Sequence, residues 1–340
     1  MKELKIVSLF SGYGTQELAL KYSGINYKGI AHCDILGSAN SAYKTIHNTV
    51  LGNLGDIKKI DEKTFPECDF LTYSFPCQDI SISGIQKGIK VGTRSGLLYE
   101  VERIVEYNKP KFLLMENVKN LVSNNHIQPF KEYINKLESL GYGNSWMVIN
   151  GADYGCPQNR ERVFMFSVLG EDNETVKNKM SNVISLKQSR VPMDNFIEKD
   201  VDESLYITPP YELNEVKKKS VCNLVAKRTD IKYDQSRRIY GTSGCSPCLT
   251  TSGSPQIMVD DRIRTLTARE GYRFMGVKDD DIDNLLTAKI STIQHIALAG
   301  NSICVPVMMA LFEQFFSEYK IVETTSNTME NLTPLLDDSK

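Results

Sequence analysis

Apolar residues in the first half of the chain follow two alternating patterns. Short β-branched and aromatic runs predict strands, whereas longer stretches with apolar residues on one helical face predict helices. The first strand is predicted at 6–10, and a glycine-containing turn and a helix around 17–21 follow it. The further predicted strands are 27–31, 70–74, 111–115 and 163–168, and the further predicted helices are 38–50, 96–107 and 127–140.

This alternation indicates the fold class. Parallel strands that are joined through helices pack as right-handed crossovers, so we expect an α/β protein with a doubly wound, mostly parallel sheet. Sheets of this kind bind their ligands at the carboxyl ends of the strands. Polar residues that directly follow a predicted strand are therefore the candidates for function.

The pattern changes after Gly170. Residues 171–262 carry Pro, Ser, Thr, Asn and Lys in irregular order, which predicts a smaller, loop-rich domain. The stretch 293–316 is again apolar and helical in character. We expect one domain to consist of 1–170 plus 290–322, a second domain to cover 171–289, and 323–340 to form a disordered tail.

Composition narrows the class of protein. The chain has 340 residues, of which 41% are hydrophobic and 24% charged, as in ordinary globular proteins. The longest uninterrupted apolar runs are shorter than the roughly 20 residues of a membrane helix, and no signal-peptide pattern follows Met1, so we expect a cytoplasmic protein. The eight cysteines are widely spaced, which indicates reduced thiols; Cys245 and Cys248 form a lone CxxC that is more typical of a turn than of a zinc site.

Charge is nearly balanced over the whole chain, with a formal net charge of -2. A nucleic-acid partner would therefore need a local basic surface. Residues 214–240 contain eight basic and three acidic residues. Such a run is usually a solvated face, so a phosphate-binding role for it stays open at this point.

The strongest chemical signal follows the third predicted strand. Pro76-Cys77-Gln78 places a thiol at the ligand-binding edge, and Glu116 ends the next strand, so a nucleophile and a proton donor are expected in one crevice. A free cysteine is more often a small buried apolar residue, but this position favours catalysis. Arg160 and Arg162 are two residues apart, and on an extended segment their side chains point the same way.

A second signal surrounds the first turn. The glycines of Phe10-Ser11-Gly12-Tyr13-Gly14, between a strand and a helix, suit the close approach of a nucleotide-like cofactor. Asp34 follows the second strand, where a carboxylate can accept hydrogen bonds from ribose hydroxyls. Asp56 is a further candidate acid, although either acid alone is more often a surface residue.

Taken in order, these segments resemble the DNA (cytosine-5) methyltransferases, most closely the bacterial and phage enzymes of restriction-modification type. The resemblance rests on 10–14, 55–57, 76–78, 116–118, 158–162, 264–270 and 300–302, and it spans residues 4 to 320. Only 171–262 lacks a shared pattern, and in the family this gap is the target recognition domain. The resemblance also implies the methyltransferase version of the α/β fold.

The resemblance implies methyl transfer from S-adenosylmethionine to carbon 5 of cytosine, with S-adenosylhomocysteine as the product. Cys77 would attack carbon 6 of the base, and Glu116 would bind N3 and the exocyclic amine as a protonated carboxyl, which requires a raised pKa. Arg162 would bind the cytosine O2. Arg160 would support the thiolate and brace its loop, although structural ion pairing is an equally good explanation for Arg160.

By the same resemblance, the target base is flipped out of double-stranded DNA. The residues implied for the cofactor are Phe10, Gly12, Gly14, Asp34, Ile35, Asp56, Ile57, Phe75, Pro76, Leu97, Asn301 and Ser302. Those implied for DNA are Ser81, Ser83, Gln86, Arg94, Arg228, Arg237, Arg238, Thr250 and Thr251. We expect a monomer that holds no metal ion and does not associate with a membrane. It would act on nucleoid DNA and protect host or phage DNA. A separate cognate restriction endonuclease is a possible partner.

Three departures from the family pattern concern the cofactor. Thr15 stands where a glycine is common, Asp34 where Glu is usual, and Ser8 where an acid is common. Three alternatives stay open: a tRNA cytosine-5 methyltransferase of the same fold, a catalytically inactive DNA-binding regulator, and a nicotinamide dehydrogenase. The dehydrogenase would share the glycine turn but would not need Pro76-Cys77-Gln78.

Overall fold

The computed structural model describes residues 2–76, 95–214, 221–251 and 253–321. The strands are β1 (Leu4–Leu9), β2 (Tyr27–Cys33), β3 (Phe70–Tyr73), β4 (Phe112–Val118), β5 (Tyr142–Asn150), β6 (Gln158–Asn159), β7 (Glu161–Leu169), β8 (Tyr206–Ile207), β9 (Tyr211–Leu213), β10 (Leu224–Arg228), β11 (Arg238–Gly241), β12 (Ser246–Pro247), β13 (Gln256–Val259) and β14 (Arg262–Thr265). The helices are α1 (Thr15–Tyr22), α2 (Gly37–Ile46), α3 (Leu98–Asn108), α4 (Ile127–Ser139), α5 (Asn173–Asn182), α6 (Ala268–Arg273), α7 (Asp279–Leu286), α8 (Thr292–Asn301) and α9 (Val305–Phe315). The predicted tail at 323–340 lies outside the described residues.

The main sheet has the strand order β2-β1-β3-β4-β7-β5. The pairs β1–β2, β1–β3 and β3–β4 are parallel, and β7 runs antiparallel to both β4 and β5. Five strands therefore share one direction, which confirms the predicted mostly parallel sheet. The sequence does not reveal β5, because Gly143, Asn144 and Ser145 interrupt its apolar pattern.

Helices cover both faces of this sheet. Successive residues such as Ile6 and Val7 point to opposite faces, and both are fully buried. One face packs with α3 and α4 and the other with α1, α2, α5 and α9. The ring of Phe315 in α9 stacks on Phe166 of β7 at 3.6 Å between centroids. The chain therefore has the three-layer arrangement of a doubly wound fold.

The carboxyl ends of four strands lie side by side. Leu9 pairs in register with Cys33 and Tyr73, and Tyr73 pairs with Met115. The residue after each of these four positions is therefore brought to the same edge of the sheet. Those residues are Phe10, Asp34, Ser74 and Glu116. This register alone collects three of the residues that the sequence predicts to be functional.

A second sheet has the order β8-β14-β13-β11-β10-β9 and is antiparallel except between β11 and β13. It lies within the predicted second domain. The short strand β12 leaves this region and pairs in parallel with β6, with Ser246 opposite Gln158. Residues predicted as a turn between Cys245 and Cys248 thus form the connection between the two parts of the chain.

Three helices in 171–289 were not predicted from sequence, and they contact elements of the first domain. Helix α5 packs against β5, and α7 packs against α2. The Lys21 ammonium in α1 donates to the Asp281 carboxylate in α7 at 2.8 Å. The domain boundaries at 171 and 289 stay a prediction. Helix α5 near the first boundary and helix α7 near the second both contact elements of the main-sheet layers.

The apolar stretch near the carboxyl end is the one segment of the described residues whose length and composition would suit a membrane helix, at Thr292–Phe315. Its most apolar window is 78% buried inside the protein, as is typical of core helices. The backbone of Ser302 is extended and divides the stretch into α8 and α9. Both helices begin at well-formed ends, with a Ser291 capping box for α8 and Pro306 in the first turn of α9.

A fully buried ion pair fixes the chain where β14 leads into α6. The Arg264 guanidinium donates to both oxygens of Glu270, at 2.8 and 2.6 Å. The same carboxylate accepts from the backbone N–H groups of Thr267 and Glu198, each at 2.8 Å. Glu270 is therefore fully hydrogen-bonded, and its charge depends on Arg264 for compensation.

We expect Arg264→Met to lower the free energy of unfolding by about 3–5 kcal/mol, because it leaves a buried carboxylate without its counter-charge. Urea denaturation measures this change. Arg262→Met on the same strand is the matched control, because Arg262 pairs with Glu203 at the surface and should cost about 1 kcal/mol or less. Equal losses for the two variants would contradict this interpretation of the pair.

Candidate active site

Glu116 and Arg162 meet where β4 and β7 run antiparallel. Glu116 pairs with Phe164, and Val118 pairs with Arg162, so Glu116 and Arg162 are diagonal neighbours on one face. The Arg162 Nε lies 3.3 Å from the Glu116 Oε1, and the two side chains are only 16% and 8% exposed. The structure thus brings together two of the four residues that the sequence predicts to be catalytic.

Burial raises the pKa of the Glu116 carboxyl, and this effect exceeds the opposing attraction of the Arg162 and Arg160 guanidiniums and a hydrogen bond with Ser74. A raised pKa for Glu116 is what the sequence predicted. A carboxyl that keeps its proton can donate a hydrogen bond, which an ionised carboxylate cannot do. Burial thus favours the proton-donating form of Glu116 beside the Arg162 guanidinium.

The loop that leads to Cys77 is fixed on its amino-terminal side. The Asn117 amide donates to the carbonyl of Phe75 at 3.0 Å, and the Ser95 hydroxyl donates to the carbonyl of Pro76 at 2.8 Å. Phe75 itself is 2% exposed. The last two residues before the predicted nucleophile are thus held next to the carboxyl end of β4. The predicted site residues Cys77, Ser81, Ser83, Gln86 and Arg94 lie outside the described residues.

Arg160 is nearly inaccessible, at 3% exposure. Its guanidinium donates to the carbonyls of Leu249, Gly300 and Ser302, at 3.1, 3.0 and 2.8 Å, and to the Cys248 sulfur at 3.2 Å. These partners belong to two distant segments of the chain. These contacts hold 248–249 and 300–302 in place, whereas the predicted support of the Cys77 thiolate and its loop stays a prediction.

The segment 246–251 lies against the end of α8. The Leu249 N–H donates to the Gln158 Oε1 at 2.9 Å, which extends the pairing of β12 with β6. Gly300 permits this approach, because a Cβ at that position would lie 2.4 Å from the carbonyl oxygen of Thr250. Thr250 and Thr251 are exposed. The predicted DNA contacts Thr250 and Thr251 thus directly follow Leu249, whose carbonyl accepts a hydrogen bond from Arg160.

Cys248 contacts the site, but it is not among the site residues predicted from the sequence, because Cys245 and Cys248 were interpreted as part of a turn. Its sulfur also accepts from the Arg162 Nη2 at 3.4 Å. Burial would raise the pKa of the Cys248 thiol, but the two guanidiniums outweigh burial and lower it. The signal that could have found it is its position in the segment that also carries Thr250 and Thr251.

Among the described residues, no group of three or more His, Cys, Asp or Glu side chains is placed to hold a metal ion.

Comparison with known proteins identifies the family. The model of the C-5 cytosine-specific DNA methylase family matches residues 4–317. The chain belongs to this family. It is 33% identical to the type II methyltransferase M2.ScrFI of Lactococcus lactis subsp. cremoris, over 92% of this chain and 99% of that protein. It is 37% identical to the orphan methyltransferase M.SssI of Spiroplasma monobiae, over 80% of this chain and 73% of that protein.

Solved structures support the fold. The methyltransferase Dnmt2 of S. pombe superimposes with a TM-score of 0.72 at 20% identity, over 93% of this chain and 99% of that one. The methyltransferase EhMeth of Entamoeba histolytica gives a TM-score of 0.73 at 21% identity, over 94% and 100% of the two chains. As a DNA methylase family member with this fold, the chain is an S-adenosylmethionine-dependent methyltransferase.

The carboxyl edge of β1 and β2 fits this cofactor. Gly12 has a φ of +56°, and a Cβ built there would have no atom within 4 Å, so the backbone of this methylase is open to a ligand. The Asp34 carboxylate accepts from the N–H groups of Gly12 and Leu36, at 3.0 and 2.9 Å, which fixes it at the tip of β2. Ile35 is 72% exposed beside it and offers an apolar surface for a flat ring.

The structure gives the other predicted cofactor residues of this methylase defined places in turns and at helix ends. Phe10 is half-buried with a φ of +55°, Gly14 precedes α1, and the Asp56 carboxylate caps the short turn that contains buried Ile57. Leu97 precedes α3, and Asn301 ends α8. The Ser302 hydroxyl accepts from the buried Tyr13 hydroxyl and donates to the Ala299 carbonyl, so it supports the glycine turn. Direct contact of these residues with the cofactor stays a prediction.

The predicted basic DNA surface of the methylase contains acids of its own. Arg228 pairs with Asp230, at 2.5 Å. Arg237 and Arg238 both pair with Asp234. Lys217, Lys218 and Lys219 lie outside the described residues. The described arginines are therefore partly neutralised, and their contact with phosphates stays a prediction.

The Glu116 carboxyl should leave a signature in the pH dependence of stability. Because the folded state raises its pKa, its contribution to stability is complete below the unfolded value and is lost as pH rises through the folded value. We expect wild type to lose stability relative to Glu116→Gln as pH rises above about 4.5, with a limiting slope of about 1.4 kcal/mol per pH unit. Urea denaturation of both proteins across this range measures the difference. A difference that does not change with pH would show that the pKa is not raised.

Proposed function

We propose that this methyltransferase transfers a methyl group to carbon 5 of cytosine within a specific sequence of double-stranded DNA. The observation that carries the proposal is the buried Glu116 carboxyl, whose pKa is raised, beside Arg162 in the strand next to the one that precedes Cys77. We infer that Cys77 adds a thiol, so that a proton donor, a cation and a nucleophile act on one small heterocycle. Several relatives of this chain are named type II methyltransferases, which is consistent with a role in restriction-modification.

The chemistry assigns each residue a task. Carbon 5 of cytosine is a weak nucleophile until a thiolate adds at carbon 6. We infer that the Cys77 thiolate forms that bond while Glu116 donates its proton toward N3, so the ring electrons move toward carbon 5. Arg162 would bind the O2 atom, which gains negative charge as the addition proceeds.

S-adenosylmethionine supplies the methyl group that carbon 5 then takes up. A base, with water as the simplest choice, next removes the carbon 5 proton, and the Cys77–carbon 6 bond breaks to restore the aromatic ring. Glu116 recovers its proton from N3 in this step. Each bond formed to the enzyme is thus broken again, and the thiolate is returned for the next cycle.

We propose that 171–289 includes the DNA-reading part of the chain, with the second sheet as its core. A base that reaches Glu116 must leave the helix stack, at a cost of a few kcal/mol. Thr250 and Thr251 are exposed on the segment that joins this sheet to the catalytic residues, so they are our candidates for contacts with DNA. One flipped base needs one active site, which favours a monomer; a cognate endonuclease would act separately.

The direct test is to treat a random DNA library with the enzyme and S-adenosylmethionine, and then to sequence it by a method that distinguishes 5-methylcytosine. We expect one short motif to carry the modification, and Cys77→Ala to leave the library unmodified. A tRNA pool treated in parallel tests the RNA alternative. Modification of tRNA alone would overturn the proposal, as would DNA binding without any methylation.

Asp34 provides a test of the cofactor edge. We expect Asp34→Asn to weaken S-adenosylmethionine binding by about 10- to 100-fold, because it removes a charged acceptor worth about 1.5–3 kcal/mol to a ribose hydroxyl. Isothermal titration calorimetry measures the affinity. The matched control is Asp61→Asn, since the Asp61 carboxylate also accepts from the N–H two residues ahead but lies in an exposed turn away from this edge. Equal affinities for both variants would remove Asp34 from the binding site.

A further inference from the structure

The sulfur of Cys248 lies between the two arginines of the active site. The Arg160 Nη1 is 3.2 Å away and the Arg162 Nη2 is 3.4 Å away. On its other side, the Arg162 Nε is 3.3 Å from the Glu116 carboxylate. Arg162 is thus held between one group from the catalytic sheet and one from the segment 246–251. The Arg162 Nη1 also donates to the neighbouring Glu161 carbonyl at 2.8 Å.

We propose that Cys248 is a positioning residue for methyl transfer: its sulfur accepts hydrogen bonds from both arginines and orients Arg162 against Glu116. This inference rests on the proposed function, since it concerns how Glu116 and Arg162 are prepared for the base. It adds a residue that acts through Arg162 and does not itself need to touch cytosine.

The physical argument concerns charge. Glu116 must keep its proton to donate it, yet Arg160 and Arg162 both favour the ionised carboxylate. The sulfur is an acceptor for both guanidiniums, and the partial negative charge of an acceptor reduces the positive field that reaches Glu116. In the described part of the chain, the Cys248 sulfur also donates to the Leu249 carbonyl at 3.4 Å, and the Cys304 and Cys222 thiols are near enough to interact with its charge. Glu116 is influenced there by Arg162, Arg160 and Ser74.

The location of Cys248 also links Arg162 to the segment that is expected to contact DNA. Cys248 precedes Leu249, whose carbonyl and N–H are both held, by Arg160 and Gln158 respectively. Thr250 and Thr251, the candidate DNA contacts, follow directly. A displacement of this segment would withdraw the sulfur from Arg162. Docking of the DNA-facing segment and preparation of the proton donor are therefore coupled through one side chain.

The test uses Cys248→Ser and Cys248→Ala in the full-length enzyme. Serine keeps a hydrogen-bond acceptor but does not ionise near neutral pH, whereas alanine removes both properties. Carbon-13 NMR of side-chain-labelled glutamate, with Glu116→Gln to assign the signal, follows the titration of the Glu116 carboxyl directly. We expect its midpoint to fall by roughly half a pH unit or more in Cys248→Ala, and by less in Cys248→Ser, which keeps an acceptor for Arg162. Cys68→Ala is the matched control, since burial raises the pKa of Cys68 to about 12 and no arginine is among its charged neighbours.

The single-turnover rate of DNA methylation supplies the second readout. We expect Cys248→Ala to be slower than wild type by about tenfold near neutral pH, and Cys248→Ser to recover part of that loss because it can still accept from Arg162. An unchanged Glu116 midpoint in both variants overturns the proposal, as does a rate loss that is equal for serine and alanine. Absence of methylation by the wild-type enzyme, with the midpoint shift present, would refute the proposed function and leave the electrostatic coupling intact.

Discussion

The site depends on one buried cation. Arg160 is 3% exposed, and within the described part of the chain its guanidinium donates to three backbone carbonyls and the Cys248 sulfur and to no carboxylate. Burial of a charge is costly unless it is well solvated by the protein. Each acceptor therefore has to be in place at the same time. Because Leu249 belongs to one segment and Gly300 and Ser302 to another, this requirement holds the two segments together beside β7.

The catalytic edge follows from strand register and from the contacts by which Arg160 holds the two segments together. In-register pairing of Leu9, Tyr73 and Met115 places Phe10, Ser74 and Glu116 side by side. Arg162 reaches this edge from the neighbouring strand β7, and the segment 246–251 adds Cys248. The strand ends provide Glu116, and burial raises the pKa of its carboxyl against the opposing effect of Arg162 and Arg160.

The sequence was most informative where function and local pattern coincide. Strands β1 to β4 were predictable from short apolar runs, and the residues that follow them were predictable as site residues, because a strand end determines where the next side chain lies. The raised pKa of Glu116 could also be predicted, since its proposed chemistry requires a protonated carboxyl. The predicted helix at 38–50 ends earlier, at Ile46, because Asn48 adopts a left-handed conformation with a φ of +42°.

The features that sequence could not predict depend on contacts between distant residues. The role of Cys248 arises from the pairing of β12 with β6, which joins residues about ninety positions apart and has only two residues in each strand. Strand β5 carries too many small and polar residues to show an alternating pattern. Burial of Arg160 is equally invisible, since an arginine in a polar motif is usually expected at the surface.

The most direct test of this account is hydrogen exchange in Arg160→Met. If Arg160 joins the two segments, the amides of Ser246 and Leu249, which donate to Pro157 and Gln158, should lose protection by at least about tenfold, while β1, β3 and β4 keep theirs. Arg190→Met is the control, because Arg190 pairs with Asp153 at the surface. Unchanged protection of Ser246 and Leu249 in Arg160→Met would contradict the central role assigned to this guanidinium.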